Sequence, residues 1–167
     1  MLENLEVDAG LTYIDNEPLG RMRAVPLYLE QYRLLTSENS PLGDRDQVTW
    51  AEVGKIPLCL LTPDMQNRKT IDAVFAKVGA GVTPMLETNS IISILAHVGS
   101  GHWSSIVPRS VLESVGTPPG VIAIELVEPA VDWATGLVTL AREPQAPMGA
   151  ALVAEARALA ETFEKPA

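Results

Sequence analysis

Residues 57–99 read "PLCLLTPDMQNRKTIDAVFAKVGAGVTPMLETNSIISILAHVG", in which short apolar runs alternate with longer amphipathic stretches. The first run, PLCLL, predicts a buried strand, because continuous apolar runs of this length are typical of strands covered on both faces. The next stretch, TPDMQNRKTIDAVFAKVG, predicts a helix with Ile71, Val74, Phe75 and Val78 on one face. Thr62 is the expected N-cap of this helix, with Pro63 at its first position and Gly79 at its end.

The same rhythm continues from residue 82 onwards. VTPMLE predicts a second strand, and the helix after it carries an apolar stripe of Ile91, Ile92, Ile94, Leu95 and Val98. HWSSIVP, RSVLESV and GVIAIELV then predict a strand, a short helix and a strand. This alternation of strands and helices is typical of a parallel sheet with right-handed crossovers, and it predicts an α/β fold.

The segments on either side of this region extend the fold. VDAGLTYI (7–14), RAVPLYLEQYRLLT (23–36) and VDWATGLVTLA (131–141) predict three further strands, and TWAEVGK predicts a short helix capped by Thr49. A closing amphipathic helix is expected to have one apolar side, formed by Met148, Leu152, Leu159 and Phe163.

Composition limits the classes of function. The chain has 167 residues, of which 47% are hydrophobic, and 21 acidic residues against 12 basic ones give a formal net charge of −9. Such an acidic chain lacks the concentrated positive face that binding to nucleic acid requires. The single Cys59 cannot form an internal disulfide, and MLENLEVDAG lacks the pattern of a signal peptide. No apolar run approaches membrane-spanning length, so we expect a cytoplasmic protein without membrane contact.

Two polar segments mark a possible ligand site. Residues 62–67 and 88–90 follow successive predicted strands, and ligands of open parallel sheets bind beyond the carboxyl ends of the strands. Both segments begin helices, whose unpaired N–H groups and partial positive charge favour a small anion. The alternative is that Thr62 and Asn89 are ordinary helix caps.

The ordered series VDAGLTY, PLY…YRLLT, VTWAEVGKIPLCLLTPDMQNRKTIDAVFAKVG, PMLETNSIISILAHVGSGHWSSIVP and IELVEP resembles the effector-binding domain of LysR-type transcriptional regulators. The most specific part lies between Val48 and Pro108. The resemblance implies a fold like that of periplasmic solute-binding proteins, in which two crossing strands join two α/β lobes and the effector lies between them. The crossing strands would fall near residues 30–36 and 133–140.

The resemblance also implies a division into lobes. Residues 1–36 and 131–167 would form a partial first lobe with the crossing strands and the C-terminal helix, and residues 37–130 a complete second lobe. The winged helix-turn-helix of the family and the first elements of its first lobe have no counterpart here. The chain is therefore expected to be truncated, to contact DNA only through a domain absent from it, and to self-associate through exposed apolar surface.

The resemblance assigns the effector site to the two helix starts. Tyr13 would add a wall from the first lobe, and its alternative is a role in the core. The residues that would face the effector in the second lobe are Thr62, Asp64, Met65, Gln66, Asn67, Thr88, Asn89 and Ser90.

The remaining conspicuous residues favour structural interpretations. His97 and His102 are five residues apart and have no acidic residue nearby that could complete a metal site. Cys59 is expected to be a buried structural thiol. Glu30 is expected to face solvent or the hinge. Arg68 is expected on the exposed face of its helix, although it could counter an anionic effector. No cofactor is expected.

The resulting hypothesis is a sensor of a small, anionic metabolite rather than an enzyme. The effector would favour one angle between the lobes and so change how a dimer presents its DNA-binding domains. The helix that begins at Ser90 would either contact a partner subunit or only pack on its own sheet. The alternatives are a stand-alone solute-binding protein of the same fold and an enzyme built on the same lobe.

Overall fold

The computed structural model describes residue 2 and residues 6–15, 20–141 and 147–163, with side chains up to residue 160. The strands are β1 (Ala9–Tyr13), β2 (Met22–Ser37), β3 (Gln47–Thr49), β4 (Cys59–Leu61), β5 (Leu86–Thr88), β6 (Ser105–Pro108), β7 (Val121–Val127) and β8 (Asp132–Leu140). The helices are α1 (Trp50–Val53), α2 (Gln66–Lys77), α3 (Ile91–Gly99), α4 (Arg109–Val115) and α5 (Pro147–Phe163).

The chain divides into two compact units. The first comprises Met1–Glu30 and Asp132–Ala167, and the second comprises Gln31–Val131. Strand β2 contributes its first half to one unit and its second half to the other.

The first unit is built on the antiparallel pairing of β1 with β8, in which Ala9 lies opposite Thr139 and Tyr13 opposite Thr135. Helix α5 packs against this sheet through a cluster formed by Val25, Leu137, Val153 and Ala156.

The helix α5 packs on a face that the sequence does not predict. Met148, Leu152 and Leu159 are exposed, whereas Gly149, Val153 and Ala156 are buried. Small residues let a helix axis approach a sheet closely, so the larger side chains remain outside. The expected packing side is therefore wrong, and the side chain of Phe163 lies outside the described residues.

The second unit contains a mixed sheet. Strands β4 and β5 pair in parallel, as predicted, and an isolated parallel bridge links Leu58 to Ser104, the residues that directly precede β4 and β6. Strand β2 then pairs antiparallel with both β6 and β7, and the short β3, which the sequence does not predict, pairs parallel with β7. The predicted strands and helices are otherwise present, with bounds shifted by a few residues.

Both faces of β2 are covered in this unit, because the adjacent Leu34 and Leu35 point to opposite faces and are both fully buried. Ile94, Leu95 and Val98 of α3 pack against one cluster, whereas Ile92, predicted in the same stripe, is exposed. Trp50 and Phe75 are fully buried, and their ring centroids lie 5.3 Å apart at an edge-to-face angle of 83°. The predicted Thr49 cap is confirmed: its hydroxyl accepts from the N–H of Glu52, and Glu52 bonds back to the N–H of Thr49.

Within the described part of the chain, no helix is long and apolar enough to cross a membrane.

Candidate functional site

Parallel pairing brings the two polar segments to the same edge of the second unit. Leu61, the last residue of β4, lies opposite Thr88, the last residue of β5. The backbone N–H of Thr62 donates to the carbonyl oxygen of Thr88 over 3.0 Å. Both strands therefore end side by side, and each continues into a helix.

At the start of α3, side-chain hydroxyl groups cap two of the backbone N–H groups. Ser90 is the N-cap, with extended backbone, and its hydroxyl oxygen accepts a hydrogen bond from the N–H of Ser93 at 3.3 Å. The Thr88 hydroxyl oxygen accepts from the N–H of Ser90 at 3.2 Å. Asn89 is exposed between them and is not the cap that the sequence suggests as an alternative.

The start of α2 differs from the prediction. The helix begins at Gln66, and its N-cap is Met65, whose side chain makes no capping hydrogen bond. Thr62 instead belongs to a turn in which its carbonyl accepts from the N–H of Met65 at 3.0 Å. The predicted Thr62 cap is wrong because the turn delays the helix by about one turn, and the first N–H groups of α2 lack a side-chain acceptor from their N-cap.

The α2 start also contains a buried polar atom without a partner. The side-chain oxygen of Asn67 is inaccessible to solvent and finds no hydrogen-bond partner in the described part of the protein. Unpaired buried polar atoms are rare in folded proteins and call for an explanation. Among the other predicted residues of this segment, Thr62, Met65 and Gln66 are partly buried, whereas Asp64 is exposed.

Arg68 is buried, which corrects the expectation of an exposed side chain. It is 6% exposed, and its Nη1 donates to the Leu61 carbonyl at 2.8 Å and to Glu87 Oε1 at 2.7 Å. Its Nε donates to Asp72 Oδ1 at 2.8 Å. Desolvation alone would lower the pKa of Arg68, but the hydrogen bonds to Glu87 and Asp72 outweigh it, so the pKa is raised and the guanidinium stays charged.

A separate open cavity of about 330 Å³ lies along α2 and the segment that follows it. None of the eight residues predicted in the second lobe lines it. Its lining residues are Arg68, Asp72, Phe75, Ala76, Gly79, Ala80, Gly81 and Val82.

The other candidates lie elsewhere. Tyr13 pairs with Thr135 in the first unit, so its contribution to the effector site stays a prediction. Glu30 is buried rather than solvent-facing. Cys59 is buried, and this burial raises the pKa of its thiol.

His97 directs its Nδ1 at the Ser93 carbonyl, 2.7 Å away in its own helix. The described residues contain no group of three or more His, Cys, Asp or Glu side chains arranged to hold a metal ion.

Comparison with known families settles the assignment. The model of the LysR substrate binding domain matches residues 1–161. The chain belongs to this family. The predicted resemblance and the periplasmic-binding-protein-like α/β fold are thus confirmed, and the match favours a regulator domain over a stand-alone solute-binding protein.

Individual relatives are distant. A probable nitrogen assimilation transcriptional activator of Synechococcus elongatus (strain ATCC 33912 / PCC 7942 / FACHB-805) is 23% identical over 100 residues, 60% of this chain and 32% of that protein. The matched part thus spans about a third of the curated relative.

Solved structures share the fold at low identity. The regulatory domain of Synechocystis PCC6803 CcmR in complex with 2-PG is 16% identical, with a TM-score of 0.83 over 99% of this chain and 78% of that one. The effector binding domain of QuiR in complex with shikimate is 20% identical, with a TM-score of 0.76 over 97% and 74%.

Proposed function

We propose that this chain is the effector-sensing domain of a LysR-type transcriptional regulator and binds a small, anionic metabolite at the starts of α2 and α3. The observation that carries the proposal is the juxtaposition of the two helix starts, which the hydrogen bond between Thr62 and Thr88 holds at one sheet edge. Helix N-termini present N–H donors and a partial positive charge, and both favour an anion.

Two features of α2 support this location. Its first N–H groups receive no acceptor from the Met65 side chain, so they are available to an anion's oxygens. The side-chain oxygen of Asn67, in the first turn of the same helix, has no hydrogen-bond partner in the described part of the chain, so a rotation of this amide towards a ligand would break no hydrogen bond of that oxygen. Thr62, Asp64, Gln66, Thr88, Asn89 and Ser90 are the proposed remaining contacts in this unit.

The family supports the ligand class and the mode of action. CcmR and QuiR domains of this fold bind 2-PG and shikimate respectively. In our proposal the unit containing Tyr13 is a partial first lobe, the other unit is the second lobe, and Tyr13 adds a wall to the site. Effector binding shifts the population towards one lobe arrangement, in a homo-oligomer whose DNA contacts are made by a separate helix-turn-helix domain. The chain acts without a cofactor and without catalysis, in the cytoplasm.

A thermal-shift experiment tests the proposal. The probes are acetate, inorganic phosphate, shikimate and 2-PG, each added to the wild type, to Asn89→Ala and to Asn39→Ala, an exposed asparagine in a loop. A probe at about one hundred times its Kd stabilises by about 2.7 kcal/mol, which is several degrees in Tm.

We expect at least one probe to raise the Tm of the wild type and of Asn39→Ala but not that of Asn89→Ala. Amide chemical shifts locate the contact. A probe that binds and leaves the amides of residues 62–67 and 88–90 unperturbed would contradict the site, and stabilisation of all three proteins to the same extent would do so as well.

A further inference from the structure

We infer that Arg68 is a positioning residue, whose guanidinium fixes the spacing between the two polar segments of the proposed effector site. The inference rests on the proposed function, because the segments it spaces are those assigned to the effector. Arg68 itself is not assigned a contact with the effector.

The geometry ties three elements together at one point. Nη1 of Arg68 bonds to the carbonyl of Leu61, which directly precedes Thr62, and to the carboxylate of Glu87, which directly precedes Thr88. The bond from Nε to Asp72, one turn along α2, holds the guanidinium against its own helix. The start of α2 and the ends of β4 and β5 are therefore coupled through a single side chain.

This coupling matters because it reinforces a short ladder, which backbone hydrogen bonds from Met85 to Leu58 and from Thr62 to Thr88 extend at its two ends. The β4–β5 ladder has only three paired positions, and β4 is the only strand paired with β5 in the described part of the chain. Short edge strands are held by few hydrogen bonds and open readily. A bond from the buried guanidinium to Glu87 restrains the end of β5 at the point where its polar segment begins.

Arginine suits this role for a geometric reason. Its planar fork makes several hydrogen bonds in fixed directions, whereas the lysine ammonium is a compact charge on a flexible stem. All N–H groups of Nε and Nη1 are engaged by Asp72, Glu87 and the Leu61 carbonyl. These interactions within the protein distinguish a positioning role from that of a counter-charge to an anionic effector.

The test uses Glu87→Gln and the matched control Glu113→Gln. Glu113 pairs with Arg109 over 2.7 Å, as Glu87 does with Arg68, but on the exposed helix α4. Glu87→Gln keeps the shape of the side chain and leaves Asp72 to compensate the buried charge, so the variant is expected to fold. Arg68→Lys is the second variant, since it keeps the charge and loses the fork.

The first readout is amide hydrogen exchange without any ligand. The Thr62 amide, bonded to Thr88, reports on the site edge, and the Cys59 amide, bonded to Ser104 over 2.9 Å, reports on the opposite end of the same strand. Glu87→Gln replaces a charge-assisted hydrogen bond by a weaker one to a neutral amide oxygen, and Arg68→Lys loses the forked geometry, so we expect Thr62 to exchange about tenfold faster in both variants. Cys59 exchange is expected to be unchanged, as is Thr62 exchange in Glu113→Gln.

The second readout is the affinity for acetate, inorganic phosphate, shikimate and 2-PG, which is expected to fall in the same two variants. Unchanged Thr62 exchange, or equal acceleration at Thr62 and Cys59, overturns the positioning role, because the latter indicates a general loss of stability. Retained affinity despite faster Thr62 exchange overturns it as well. A wild type that binds none of the four probes counts against the proposed function, and the exchange data still test Arg68.

Discussion

The hydroxyl oxygens of Thr36 and Ser104 lie 2.7 Å apart, and both side chains are buried. The pair joins β2 to the residue that precedes β6, across 68 positions of sequence. Each hydroxyl would be costly to bury without the other.

We expect Thr36→Val to lower the free energy of unfolding by about 1–3 kcal/mol, because it leaves the Ser104 hydroxyl buried without its partner. Adding Ser104→Ala removes that hydroxyl, so the double variant should be more stable than Thr36→Val alone. Urea unfolding monitored by tryptophan fluorescence measures both. Strictly additive losses would show that the two hydroxyls do not interact.

Removing both carboxylates that pair with Arg68 should destabilise the protein more than removing Arg68 itself. Asp72→Asn combined with Glu87→Gln leaves a buried guanidinium without an anion and should cost about 3 kcal/mol or more. Arg68→Met should cost less, because the Asp72 and Glu87 side chains are 45% and 41% exposed and remain hydrated. Chemical denaturation at pH 7 compares them, and a larger loss for Arg68→Met would refute this account.

Glu52 should make stability depend on pH in the acidic range. Hydrogen bonds from the backbone N–H and the hydroxyl of Thr49 lower the pKa of Glu52 in the folded protein. A lowered pKa stabilises the fold above the pKa of the unfolded state, about 4.3, and this contribution is lost as the pH falls through the folded pKa.

The wild type should therefore exceed Glu52→Gln in stability at pH 7, and the difference should shrink below about pH 4.3. Denaturant titrations at pH 7, 5 and 3.5 measure it, with Glu113→Gln as an exposed control. A difference that stays constant over this range would show that the charge of Glu52 is irrelevant.

Gly136 should be intolerant of any side chain. A Cβ atom at this position would lie 2.6 Å from the carbonyl oxygen of Val25, so backbone would have to move. We expect Gly136→Ala to cost about 1–3 kcal/mol. Gly10→Ala is the matched control, because its nearest neighbour would be a Val138 methyl group at an ordinary 3.7 Å. Equal Tm values for the two variants would contradict the prediction.

Local signals predict the local structure well. Apolar runs locate the strands, and Thr49 as a preferred N-cap residue predicts the start of α1. Periodicity identifies which residues share a helix face but not which face packs. In α5, alanines on several sides leave that choice to the sheet, which accepts Val153 and Ala156 and excludes Leu159.

The local geometry of the candidate site is predicted less well, because it depends on interactions between residues that are distant in sequence or that use only the backbone. The burial of Arg68 depends on Glu87, 19 residues away, and an arginine on a helix is ordinarily exposed. The start of α2 depends on a turn that uses the backbone of Thr62, a role that its side chain does not reveal. The pairing of β4 with β5 follows from the α/β pattern, which is why both polar segments were predicted at one edge.

The N-cap of α2 is Met65, a residue without a capping side chain, and this choice matters for protein engineering. Ser, Thr, Asp and Asn are the preferred residues at an N-cap, and optimisation for thermostability would introduce one of them at this position. The new oxygen would compete for the same N–H groups that the proposed metabolite uses. Selection for a more robust helix and selection for a responsive sensor therefore act in opposite directions on residue 65.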